Sequence, residues 1–109
     1  MDKELIARQE AENDGQTVYL YFDEMVGMYL AFGLSAYYVT MAANPHVAFS
    51  DALKLPVALL RKGHVNTLRQ AFEKVEHTTG SFYKFRMRAK IGDQGYEKWK
   101  SKVLEKMGL

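Results

Sequence analysis

The chain has no cysteine, which excludes disulfides, thiolate metal sites and a thiol nucleophile together. It has only two prolines, Pro45 and Pro56, and no apolar run close to the roughly 20 residues of a membrane-spanning helix. The opening MDKELIARQEAEND carries charges where a signal peptide needs an apolar stretch. A soluble, cytoplasmic chain without membrane contact is therefore expected. Also missing are the glycine-serine-glycine elbow of hydrolases, the glycine-lysine phosphate loop and the G-x-G-x-x-G turn, each of which fixes backbone geometry around a nucleophile or a phosphate. His46, His64 and His77 stand 18 and 13 residues apart, with no H-x-x-x-H or H-x-E spacing that would put two metal ligands on one helical face. They read as surface or capping histidines. Neither an enzyme, a cofactor nor a metal is expected.

What is present is ordinary globular material. Of 109 residues, 48% are apolar, 13% aromatic and 26% charged, enough for one core and too few residues for two. The net charge of +2 conceals a division. Residues 1–51 hold Lys3 and Arg8 against eight acids, a balance of minus six, while residues 52–109 hold thirteen basic side chains against five acids, a balance of plus eight. Such asymmetry fits a polyanion partner, or equally two halves that neutralise each other.

Local patterns give an α+β reading. Lys3 to Asn13 favours a short helix with little apolar surface, and Asn13-Asp14-Gly15 is turn chemistry. The run TVYLYF, Thr17 to Phe22, is β-branched and aromatic and predicts a buried strand. MVGMYLAFG, with Gly27 and Gly33, predicts a second. Ser35 is positioned to cap a helix through Met41 that Asn44-Pro45 stops. His46 to Phe49 reads as extended, and Pro56 to Leu60 as a buried central strand with proline at its first residue. Val65, Leu68, Phe72 and Val75 recur at helical spacing up to a stop at Thr79-Gly80. Ser81 to Lys90 alternates, with Phe82, Lys84, Arg86, Arg88 and Lys90 on one side. Gly92-Asp93 then turns into a basic amphipathic helix carrying Tyr96, Trp99, Val103 and Met107.

The alternating strand is the leading chemical candidate. Cations at every second position stand about 6.5 to 7 Å apart on one sheet face, close to the phosphate spacing of a nucleic-acid strand. Lys84, Arg86, Arg88 and Lys90 would follow the backbone, Arg61 and Lys62 would widen the field, and Phe82 would stack on a base. Tyr19, Tyr21, Phe22, Tyr29, Phe32, Tyr37 and Tyr38 offer either a stacking platform or core. An edge strand protected by charge accounts for the same pattern. Asp23-Glu24, the acidic pair between two predicted strands, reads either as a base or metal ligand or as an exposed turn.

Three segments, in order, resemble the N-terminal mismatch-recognition domain of the MutS DNA mismatch repair proteins. Tyr19-Leu20-Tyr21-Phe22 precedes Met25-Val26-Gly27-Met28-Tyr29-Leu30-Ala31-Phe32, similar to the family's apolar strand and Met-Gly-Asp-Phe-Tyr-Glu-Leu-Phe stretch. Leu55-Pro56-Val57-Ala58-Leu59 is similar to its Ile-Pro-Met-Ala-Gly strand, and Ile91-Gly92-Asp93 to the Ile-Gly-Asp that closes its last strand. The resemblance implies residues 1–16 as an N-terminal helix or arm and 17–109 as a single MutS N-terminal-like α+β domain. It implies a mixed sheet of about four to six strands with flanking helices. Met28 and Leu30 take the places of the family's wedging phenylalanine and base-contacting glutamate. Methionine can still wedge between bases, while leucine lacks the carboxylate. The family's connector, clamp and ATPase domains have no counterpart in this sequence, so action without ATP hydrolysis is expected. Charge layout and resemblance together lead to non-catalytic DNA binding of weak specificity, linked to mismatch repair or DNA maintenance. The alternative is a protein-interaction module or homo-oligomer that kept the fold and lost mismatch recognition, with Tyr96 and Trp99 as its contact residues.

Overall fold

The computed structural model describes residues 2–72, 74–79 and 82–108, with 74–79 described by backbone alone. After α1 (Lys3–Ala11), the chain runs three times through two strands and a helix. These are β1 (Thr17–Asp23), β2 (Met28–Phe32) and α2 (Gly33–Ala42); β3 (His46–Ser50), β4 (Leu55–Leu60) and α3 (Lys62–Ala71); and β5 (Lys74–Thr79), β6 (Phe82–Arg86) and α4 (Tyr96–Lys106). The strands form one six-stranded sheet in the order β3-β4-β2-β1-β6-β5. The α+β class is as expected from the sequence. Every pairing is antiparallel, where a mixed sheet was expected, because sequential strands are joined by tight hairpins and no helix crosses over between parallel neighbours.

Strand alternation sorts side chains to two faces. Val18, Leu20, Ala31, Ala58, Leu60 and Phe85 point to the face covered by α2, α3 and α4, where they pack with Tyr38, Val39, Val65 and Leu68. Tyr21, Leu30, Phe32 and Val57 point the other way and meet only Ile6 of α1 among fully buried partners. One face is thus a closed core. The other is partly open, and α1 is integral to it, since Ile6 is 1% exposed.

Several boundaries differ from the sequence expectation. Helix α3 ends at Ala71, with Phe72 as its C-cap, and Val75 to Thr79 belong to β5 instead of the helix. The segment KVEHTT is rich in β-branched residues and pairs with β6, so tertiary pairing outweighs a periodicity that fits both readings. Gly80 and Ser81, expected to stop that helix and open the next strand, lie outside the described residues. Ser35 is not a cap. It lies within α2, whose N-cap, Phe32, makes no side-chain cap bond. Pro56 is the second residue of β4, which lies between β3 and β2.

Candidate nucleic-acid interface

Strand β6 carries the first half of the expected basic row. Its pairing with β1 sets Phe82 opposite Tyr21, Lys84 opposite Tyr19 and Arg86 opposite Thr17, all on the open face of the sheet. The Tyr19 and Phe82 rings lie 6.2 Å apart at an interplanar angle of 29°, and Phe82 is 5.5 Å from Tyr21. The Lys84 ammonium sits 5.9 Å from the centroid of Tyr19, a cation over a ring face. Arg86 Nη2 donates to Gln16 Oε1 at 3.3 Å. Burial acts to raise the Asp14 carboxyl, but hydrogen bonds from the Gln16 amide and the Thr17 hydroxyl, with the Arg86 guanidinium nearby, hold it below its ordinary value.

The second half of the row does not continue the strand. β6 ends at Arg86, and the chain then closes against the 15–16 turn: Met87 N–H donates to the Gln16 carbonyl at 2.8 Å, and Ile91 N–H to the Gly15 carbonyl at 2.9 Å. Arg88 to Lys90 bow outward between those two ties and are exposed. The expected ladder of four cations is corrected accordingly. Lys84 and Arg86 share the sheet face and have partners there, Arg88 stands in an exposed bend, and Lys90 lines a hollow with Asp14 and Asp93. Tight packing at Gly15 forces this path. Its φ is +82°, and a Cβ there would lie 2.7 Å from the Gly92 Cα.

Arg61 and Lys62 do not join this group. β4 ends beside Tyr29, the end of the sheet opposite the Arg86–Thr17 pair, with β2 and β1 in between. Arg61 opens α3, its amide donating to His64 Nδ1 at 3.0 Å, so His64 has the capping role. His46 is exposed at the start of β3, and the side chain of His77 lies outside the described ones.

The wedge-equivalent positions also separate. Met28 is half-buried opposite Asp23, whereas Leu30 is 9% exposed among Tyr21, Phe32 and Val57, turned into the sheet's packing. Asp23 Oδ1 accepts from the Met25 amide at 2.9 Å, so this acid shapes the β1–β2 turn, and Glu24 is exposed beside it. Tyr96 is buried and Trp99 half-buried, with Trp99 5.3 Å from Tyr37; both take part in the packing of α4, and Trp99 also lines a surface hollow with Val47, Val103 and Met107. Among the described residues no three histidines or acids gather to hold a metal ion, and no helix is long and apolar enough to cross a membrane.

Sequence reading did not foresee Gln16 as the group that bonds Arg86, or Asp14 as the carboxyl whose charge the guanidinium favours; only the turn propensity of Asn13-Asp14-Gly15 pointed there. No family model matches the chain, and no curated protein or solved structure matches it. The MutS resemblance therefore rests on its three segments: two form the β1–β2 hairpin and β4, and the third, Ile91 to Asp93, follows the end of β6 by several residues.

Proposed function

We propose that the chain is a non-catalytic DNA-binding domain, in keeping with the MutS resemblance and a role in mismatch repair or DNA maintenance, that contacts nucleic acid through the open face of β1 and β6. The observation that carries this reading is the joint placement of Tyr19, Phe82, Lys84 and Arg86 on one partly open face, with Arg88 exposed just beyond it. Rings on such a face stack on bases, and nearby cations meet phosphates. With Leu30 turned into the packing, mismatch reading in the family's manner has no support, and the binding is of weak specificity. Titration of labelled single strands, matched duplexes and mismatched duplexes at two salt concentrations tests this. Affinity that falls with salt supports it, and absence of binding at low salt overturns it.

A protein-interaction role is favoured by a separate observation. Met25 is 96% and Val26 55% exposed at the β1–β2 turn, beside an apolar groove of about 320 Å³ lined by Ile6, Leu30, Leu53 and Val57. Apolar side chains grouped at a surface in this way are a usual feature of protein contacts. Pull-down of a partner by wild type that fails with Met25→Ser and Val26→Ser together would favour this second reading over the first.

A further inference from the structure

The two edges of the sheet are built differently. β5, at one edge, has a register irregularity between Val75 and His77, a device that keeps an edge from pairing with another chain. β3, at the other, is His46-Val47-Ala48-Phe49-Ser50, with no acid, lysine, arginine or proline, and its five consecutive pairs with β4 run without a bulge.

The direction of its backbone groups follows from alternation. The Tyr19 amide is bonded to Ser35 Oγ at 3.0 Å, so Tyr19, Tyr21 and Asp23 turn their N–H and C=O toward the β2 side. In an antiparallel ladder directly opposed residues exchange bonds in alternate pairs. Tyr21 therefore bonds Leu30, Ala31 and Tyr29 turn to Ala58 and Leu60, and Val57 and Leu59 turn to Ala48 and His46. Pro56 agrees independently: its missing N–H falls on the side where β2 has already ended. Val47 and Phe49 are left directing N–H and C=O to the open edge, and among the described residues no backbone group bonds them there.

We infer that this edge pairs with β3 of a second copy, antiparallel about a two-fold axis through Ala48. Val47 of each chain then meets Phe49 of the other in a hydrogen-bonded pair, and the two Ala48 residues face each other. The register is self-complementary. His46 falls opposite Ser50 and Pro45 opposite Asp51, so no like charges meet, which a symmetric contact requires. The apolar groove lined by Ala48 and Leu53 on one face, and Val47 beside Trp99, Val103 and Met107 on the other, flank the same edge and extend the contact. The result is one continuous twelve-stranded sheet with the β1–β6 faces at its far ends, so the inference is independent of DNA binding.

The chain's lack of cysteine makes the register directly testable. Opposed residues of a non-hydrogen-bonded pair have Cα atoms about 4.5 Å apart, within disulfide range. Mild oxidation of Ala48→Cys should give a covalent dimer, whereas His46→Cys, about 13 Å from its own mate in this register, should not. Sedimentation equilibrium should show wild type associating to twice 12.5 kDa. His46→Lys with Ser50→Lys should weaken association at least about tenfold by facing like charges, with circular dichroism unchanged, and His46→Glu with Ser50→Lys should restore it. Wild type monomeric at every concentration, equal cross-linking of the two cysteine variants, or undiminished association of the double-lysine variant would overturn the inference.

Discussion

Glu10 of α1 accepts hydrogen bonds from the Ser35 amide at 3.1 Å and the Ser35 hydroxyl at 2.6 Å, so a carboxylate from one helix caps the first turn of another 25 residues away. α2 has no cap of its own. The N-terminal helix supplies one, and the charge meets the positive end of the helix dipole. The Ser35 hydroxyl in turn accepts the Tyr19 amide of β1. Three elements are joined through a single buried acid.

That acid makes stability depend on pH. Glu10 is 7% exposed, and burial, only partly opposed by the hydrogen bonds from Ser35 and Asn13, pushes its pKa from 4.5 up to about 7. The folded state therefore holds the proton more tightly than the unfolded state. The stabilisation is complete below about pH 4.5 and is lost as pH rises through about 7, a change of order 3 kcal/mol. Urea unfolding at a series of pH values should show the wild-type midpoint falling over this window, and Glu10→Gln should flatten the profile.

Gly15 and Gly27 both have positive φ, at +82° and +66°, but a Cβ at Gly15 meets the Gly92 backbone at 2.7 Å while one at Gly27 meets nothing within 4 Å. Gly15→Ala should cost about 2 kcal/mol or more, and Gly27→Ala only about 1 kcal/mol from backbone conformation alone. Thermal midpoints of the two variants check the ordering.

Phe85 is fully buried, 5.7 Å from the ring of Phe72 and 5.5 Å from that of Tyr83. Truncation to alanine removes those contacts and leaves a cavity, for a loss of about 3 to 5 kcal/mol. Met25→Ser, at a side chain 96% exposed, should change stability by less than about 0.5 kcal/mol. Denaturant titration separates the two effects.

Much of this fold is legible in the sequence because its signals are local. The β-branched and aromatic run TVYLYF, the apolar run after Pro56 and the helical spacing from Tyr96 each mark an element that forms. The parts that are not legible depend on distant chain. Val65, Leu68, Phe72 and Val75 keep helical spacing across a real boundary, since only pairing with β6 draws residues 74–79 into a strand. Ser35 has the residue type of a cap, yet its position is set by a glutamate 25 residues earlier. At the candidate site the basic alternation is visible, but its end at Arg86 comes from the ties of Met87 and Ile91 to the 15–16 turn, and the nearness of Tyr19 to Phe82 requires the register between β1 and β6.

Arg88 provides the cleanest single probe of the proposed interface, because it is exposed and its removal disturbs no packing. Loss of one phosphate contact should lower the slope of log affinity against log salt by about 1 and weaken all sequences alike.

The most direct measurement is a fluorescence titration of labelled single-stranded and duplex DNA with wild type and with Lys84→Ala, Arg86→Ala and Arg88→Ala combined, at low and at physiological salt. The account expects wild-type binding that weakens steeply with salt, little difference between matched and mismatched duplex, and loss of most affinity in the triple variant while its circular dichroism is unchanged. Binding that is absent at low salt, or that survives intact in the triple variant, would contradict it.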